Sequence, residues 1–389
     1  MTDDTVRSAW AYLAAVAEPP CAAVANLVAE VGPVEAAGAI RDRTPLPGRH
    51  RDVRAATEAR HHLDCAVDHL RVAEAVDARL ITPDDAEWPA WQLLRLSVAD
   101  TATRGGPPLA LWVRGQAPLS DVVGRSVALV GSRAASSYGE HVTARLSSDL
   151  VLDGWSTVSG GAYGIDGVAH RATLASGGTT VAVLACGIDR DYPAGHARLL
   201  SEIASTGLVI TEYAPGTTAA KHRFLTRNRL VAALSSAVIV VEAGARSGAA
   251  NTAAWARKLD VPLGAVPGPV TSATSLGCHR MIADGQAHLV VDAGAVSRLV
   301  APDGGRVGDS ALGGRPVVTD RVTDILDETG RRAHDAIPRH GAVTVTEIAV
   351  TSGLTAAEVR PALAMMEAHG LVVGDGSTWR LAAERDTSN

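Results

Sequence analysis

Seven short β-branched or aliphatic runs, at 126–130, 155–158, 180–185, 208–211, 237–241, 263–266 and 288–291, alternate with helical segments and open into Gly-rich turns. Continuously apolar strands are buried on both faces, and strand–helix alternation joins them in parallel. The spacing therefore predicts an α/β fold, a Rossmann-like domain around a mostly parallel sheet. A dinucleotide fingerprint is missing, because the nearest approach to G-x-G-x-x-G is Gly161, Gly164 and Gly167, with the wrong spacing. A Walker-type phosphate loop is excluded too. It needs a lysine directly after a glycine, and the chain's two lysines, Lys221 and Lys258, follow Ala220 and Arg257.

At 389 residues the chain is too long for one ordinary core, and its pattern changes on either side of the α/β segment. Residues 1–80 are Ala-rich and read as an N-terminal helical domain, with Val24, Leu27, Val28 and Val31 at helical spacing. Within it, Leu27 to Pro33 faintly resembles the turn of a helix-hairpin-helix but lacks the glycine pair, so a plain helical turn is the expectation. A Pro- and Trp-containing stretch from Ile81 to Pro108 leads to a short strand at 109–113, which groups 81–300 as the extended Rossmann-like domain. Gly304-Gly305 and Gly313-Gly314 mark a flexible linker over 301–318. Residues 319–389 then read helix, short helix, helix, hairpin, the order of a winged helix. Its recognition helix, from Thr355 to about His369, carries Glu358, Arg360 and Glu367. A major-groove reader should be basic there, so a packing or protein-contact role is expected instead.

Composition removes several functional classes. An apolar fraction of 47% with 20% charged residues excludes wholesale disorder. No apolar run approaches the ~18–20 residues of a membrane span. Trp10 to Ala17 imitates a signal h-region, but Asp3 and Asp4 cancel Arg7, so no basic n-region precedes it. Cys21, Cys65, Cys186 and Cys278 are widely spaced singles, which fits reduced thiols better than disulfides or a zinc site. The expectation is a cytoplasmic protein with no membrane partner, no cofactor and no metal. A net charge of −6 excludes a uniformly basic protein that coats nucleic acid, so any such binding must be local.

In doubly wound sheets, ligands bind beyond the C-terminal strand ends, where helix N-termini offer free N–H groups to anions. Four Gly/Ser-rich loops lie at such positions: Gly131-Ser132-Arg133 onward; Ser159 to Asp166, with Gly160 and Gly161; Tyr213 to Arg229; and Gly244 to Thr252, with Ser247 and Gly248. The third decides the polarity. Acids are 42 of 389 residues, yet the 29 between Glu212 and Glu242 contain none, while holding Lys221, Arg223, Arg227 and Arg229. The chain's one phenylalanine, Phe224, falls inside this window. A lone Phe is ordinarily core, but here it sits between Lys-His-Arg and Thr-Arg-Asn-Arg. Cations tracking phosphates beside an aromatic platform is what single-stranded nucleic acid needs.

Val130-Gly131-Ser132-Arg133, Ser159-Gly160-Gly161-Ala162-Tyr163-Gly164-Ile165-Asp166 with Ala169-His170, Phe224 to Ser235 and Val266-Pro267-Gly268 together resemble the DprA/Smf family of DNA-processing proteins. The resemblance is collinear, covers roughly 107–292, and extends to the layout of the flanking pieces. It implies a non-catalytic, homodimeric protein that binds single-stranded DNA and helps load RecA recombinase in recombination or natural transformation. It also implies that Arg133 and Lys221 contact phosphates and Phe224 a base, with Gly131, Ser132, Gly160, Gly161, Arg227, Asn228, Arg229, Ser247, Gly248 and Thr252 completing the site. Two positions depart from the family pattern. His196 stands where Asn is usual after Y-P-x-x, and Gly277-Cys278-His279 stands where Gly-x-Asn is usual.

The competing class is a nucleotide-binding or nucleotide N-glycosidase-like enzyme of the same topology, with Arg227 and the 244–252 loop in comparable places. From Ala243 to Leu259 there is no carboxylate, so the glutamate such hydrolysis needs has no candidate. Asp166 and His170 lie one helical turn apart and read as a helix-opening Asp and a hydrogen-bonded core His rather than an acid/base pair.

Overall fold

The computed structural model describes residues 3–98, 106–244, 247–301, 326–338 and 341–382. The chain divides into two compact units, 1–306 and 307–389. The linker expected at 301–318 lies outside the described residues except for Ala301, and Ala245 and Arg246 of the fourth loop lie outside them too.

The first unit opens with helices α1 (Asp3–Val16), α2 (Ala22–Val31), α3 (Pro33–Arg41), α4 (Arg51–Thr57) and α5 (Ala66–Glu74). The turn between α2 and α3 is plain: Gly32 takes φ +82°, which spares it a side-chain clash, and Pro33 fills the first helical position. Strand β1 (Ala78–Ile81), α6 (Ala90–Val98), β2 (Leu111–Arg114) and α7 (Leu119–Gly124) lead into the α/β repeat. That repeat runs β3 (Ser126–Gly131), α8 (Ser137–Leu152), β4 (Ser156–Ser159), α9 (Ile165–Ala175), β5 (Thr180–Val183), α10 (Ala197–Thr206) and β6 (Leu208–Thr211). It continues with α11 (Lys221–Ala233), β7 (Ala237–Glu242), α12 (Gly248–Lys258), β8 (Leu263–Ala265), α13 (Leu276–Ala283), β9 (His288–Leu289) and α14 (Ala293–Val300).

All nine strands join one sheet in the order β1-β2-β6-β5-β4-β3-β7-β8-β9, parallel from β6 to β9 and antiparallel where β1 and β2 extend it. Alternate residues serve opposite faces, as the pleat requires. Val238 and Val240 pack with α11 and α12 on one side, Ile239 and Val241 with α8 and α14 on the other. The N-terminal helices pack on the same sheet: Tyr12, Leu27 and Ile40 share a core with Trp112, Leu184 and Val209. The boundary expected near residue 80 falls inside β1, and the described part of the helical segment shares its core with the sheet. Ala78-Arg79-Leu80-Ile81 escapes sequence reading because Ala and Arg are poor strand formers and the run is only four residues long.

The second unit contains α15 (Glu328–Asp335), β10 (Val343–Thr344), α16 (Val345–Ser352), α17 (Ala356–Ala368), β11 (Val372–Gly374) and β12 (Thr378–Leu381), with an antiparallel sheet ordered β10-β12-β11. Ala333, Ile348, Val359, Leu363 and Met366 make its core. Glu358 is occupied in a capping box, accepting from Thr355 N at 2.8 Å while Thr355 caps α17.

Candidate functional site

From β3 the chain builds β4, β5 and β6 to one side, then returns to place β7, β8 and β9 on the other. The C-terminal ends of β3 and β7 thus flank a topological switch point, where crossover loops diverge and leave a crevice. A cavity of about 960 Å³ opens there. Gly131, Ser132, Arg133, Gly160, Lys221, Phe224, Arg227, Asn228, Ser247, Gly248 and Thr252 line it; Gly161 and Arg229 do not.

The segment read from sequence as a loop ending at Arg229 is largely helix, since α11 begins at Lys221. Its basic residues therefore spread around a cylinder instead of following one strand of phosphates. Lys221, Phe224, Arg227, Asn228 and Val231 form the stripe facing the cavity, with spacings of three and four. Arg229 leaves that face. Its guanidinium forks onto the Glu212 carboxylate at 2.7 and 2.6 Å and donates through Nε to Gly106 O at 3.0 Å, both side chains being at most 1% exposed. Arg229 is thus a buried, paired cation that lies outside the cavity lining. Arg223 is neutralised as well, by Glu18. The acid-free window is answered by carboxylates outside it.

The shared anion site expected from four free helix N-termini is also reduced. At α8 the seat is filled by Glu242, which accepts from Ser136 N at 2.9 Å, from Ser136 Oγ at 2.5 Å and from Thr274 Oγ1 at 2.9 Å. At the second loop Asp166 Oδ2 accepts from Gly160 N and Ala162 N at 3.2 and 3.4 Å. Burial pushes the Asp166 carboxyl above its usual range, against the opposing charge of Arg227. Gly161 serves the turn itself, with φ +69° and its carbonyl held by a His196 ring nitrogen at 3.0 Å. His170 is a core residue: Nδ1 meets Thr180 Oγ1 at 2.7 Å, and burial drives its pKa down to about 3, so it is neutral.

Two cations at the mouth remain uncommitted. Arg133 and Lys221 are exposed, and neither has a hydrogen bond or ion pair among the described residues. Arg133 lies over the Phe224 ring at 5.3 Å, and the Tyr192 ring is tilted by 45° to it with centroids 5.3 Å apart. Phe224 is partly buried and belongs to the cavity wall, not to a core. Tyr192 is the aromatic lining residue, besides Phe224, that sequence reading passed over; its only signal was membership of the Tyr-Pro pair. Deeper in, the Arg227 guanidinium packs against Gly160 and leaves no room there for a Cβ. The two departures from the family pattern hold loops internally: His196 packs edge-on against Tyr163, and His279 Nε2 reaches Gly268 O at 3.0 Å. Among the described residues no cluster of His, Cys, Asp and Glu could hold a metal. No described helix is long and apolar enough to cross a membrane.

The first turn of α11 is anchored from the N-terminal helices. Glu18 accepts from Arg223 at 2.8 and 3.1 Å and from Arg60 at 2.6 Å. Burial alone would raise the Glu18 pKa, but these hydrogen bonds and charges bring it from 4.5 down to about 2. A depressed carboxylate stabilises the fold fully above its unfolded pKa and ceases to do so as pH falls through the folded value. Wild type should therefore melt above Glu18→Gln near neutral pH, and the gap should close between pH 4.5 and about 2. A gap that persists at pH 2 would remove the ionic latch.

An open pocket with two exposed cations at the switch point of a doubly wound sheet, without Walker or dinucleotide loops, defines a Rossmann-like protein with a candidate anion site. Residues 79–301 match the model of the family described as DNA recombination-mediator protein A. The chain is 50% identical over 383 residues to a Mycobacterium tuberculosis relative named for DNA processing (DprA), covering 98% of this chain and 95% of that one. It is 42% identical over 163 residues to DNA processing protein DprA of Streptococcus pneumoniae, covering 41% and 56%. The X-ray structure of the S. pneumoniae protein matches with a TM-score of 0.62 at 29% identity, over 76% of this chain and 98% of that one. The chain belongs to the DprA family of DNA-processing proteins.

Proposed function

We propose that this protein binds single-stranded DNA at the switch-point pocket and, as a cytoplasmic homodimer, helps load RecA recombinase onto the strand in recombination or natural transformation. The observation that carries the reading is the pairing of two uncommitted cations, Arg133 and Lys221, with the Phe224–Tyr192 ring pair at one mouth. Phosphates take the cations and a base takes a ring face, the division single strands require. RecA loading and dimerisation rest on family membership alone. We read the second unit as a winged helix that contacts protein, since Glu358 is committed to a cap and Glu367 adds a second acid to the helix that would enter a groove.

Single strands of mixed sequence should bind in preference to blunt duplex. With two phosphate contacts per chain, log affinity should fall with log salt at a slope of about −1.4. Equal affinity for duplex and oligo-dT in gel shifts at matched salt contradicts the reading.

The protein acts without a catalytic step. Asp166 is the one carboxylate among the described lining residues, and Glu242, at the end of β7 before the 244–252 loop, is committed to Ser136 and Thr274. No base should be released from nucleoside 5′-monophosphates. Release abolished by Arg227→Ala would move the protein to the enzyme class.

A further inference from the structure

Outside the pocket, the second Gly-rich loop carries Tyr163, which is 50% exposed and has no hydrogen bond among the described residues. Its ring meets the His196 ring edge-on with centroids 4.7 Å apart, and its hydroxyl end rests on Gly195, where a Cβ would not fit. A single exposed aromatic needs no explanation; the cation beside it singles this one out. Arg171 of α9 is exposed and has neither a hydrogen bond nor an ion pair among the described residues. Its guanidinium folds back along the helix, so that a Cβ at Gly167 would meet both the His196 ring and Arg171 Nη1. His196 thus joins the open ring to the uncommitted cation. The acids of the neighbouring stretch are already engaged. Asp189 accepts from Gly216 N at 2.8 Å, Asp191 lies 3.7 Å from Arg114, and Glu202 accepts from Arg198 at 3.0 Å.

We propose that Tyr163 and Arg171 form a second contact for the bound strand outside the pocket, the ring taking an unstacked base and the guanidinium a phosphate. The inference rests on the single-strand reading above and assigns the side on which the strand leaves the pocket. The patch adjoins the cavity from two directions: Ala162, directly before Tyr163, lines it, and so does Tyr192, three residues before Gly195. Tyr192, Ala194 and Gly195 are themselves exposed, so the way between is open surface. A strand that leaves the Phe224–Tyr192 ring pair across the 192–195 loop therefore arrives at Tyr163 next, on the α9 side of the switch point and away from β8 and β9. A free cation beside an exposed ring repeats the arrangement at the mouth, the combination that tracks single strands without reading sequence. The stacked bases of a duplex leave no face for Tyr163, so the patch favours single strands as well.

The test uses the full chain and an oligo-dT series from about 4 to about 20 nucleotides, read by fluorescence anisotropy at several salt concentrations. In wild type the salt slope should deepen from about −1.4 on strands that fill only the pocket to about −2.1 on strands that reach Arg171, one phosphate contact more. Arg171→Ala should hold the slope near −1.4 on the long strands too. Tyr163→Ala should weaken the long strands by roughly 5- to 150-fold and leave their slope nearly unchanged. Tyr163→Phe, which keeps the ring, should bind like wild type. The short strands control for damage to the loop. A Tyr163→Ala loss of the same size on short and long strands means that the ring only props the Gly-rich loop, and overturns the second contact. So does a wild-type slope that stays constant with length, or either alanine variant binding long strands as wild type does. Each of these leaves the single-strand reading standing. Failure of wild type to bind any of the strands overturns that reading itself.

Discussion

Phe224→Ala should weaken single-strand binding by about 5- to 150-fold, the loss of one base–aromatic stack worth roughly 1–3 kcal/mol. The melting temperature should barely move, because the ring is partly buried in a cavity wall against Tyr192 and Arg133 and fills no core. A core phenylalanine would behave in the opposite way, costing about 3–5 kcal/mol of stability. The salt dependence separates this residue from its neighbour on the same helix face. Phe224→Ala should leave the salt slope nearly unchanged, whereas Lys221→Ala removes a phosphate contact and should flatten it by roughly 0.7. Thermal melts beside titrations at several salt concentrations read both quantities. A Phe224→Ala protein that melts far below wild type would return the ring to the interior.

Arg229→Ala and Glu212→Ala should each destabilise the fold by about 3–5 kcal/mol, since either change strands a partner charge that is almost wholly buried. The pair ties α11 to the end of β6, and the third donor, to Gly106 O, ties both to the segment before β2. For a protein of this size such a loss lowers the melting temperature by roughly 10 °C. The combined change Glu212→Leu with Arg229→Met removes both charges together and should recover much of the stability, because well-packed apolar residues replace a buried pair at little cost. DNA affinity, measured on the folded protein, should change far less than in Lys221→Ala. An Arg229→Ala protein that keeps its melting temperature and loses DNA would place Arg229 at the interface after all.

The sequence by itself determined the strands of the α/β repeat, but neither β1 nor the helix that begins at Lys221. The seven runs of the α/β repeat fall within a few residues of β3 to β9, because aliphatic periodicity and Gly-rich turns are local properties. It also determined most of the pocket wall, since loops that follow parallel strands must open at one sheet edge. Only the tertiary structure decided which charges there are free. Arg223 is met by Glu18 from 205 residues away, Arg229 by Glu212, and the α8 N-terminus by Glu242 from 106 residues away. None of these pairings has a local signal. The fold likewise decided that Arg133 and Lys221, alike in sequence to the committed arginines, stay uncommitted, and that Tyr192 joins Phe224. A side chain's type is written in the chain, but its electrostatic state depends on which distant groups the sheet order brings within about 3 Å of it.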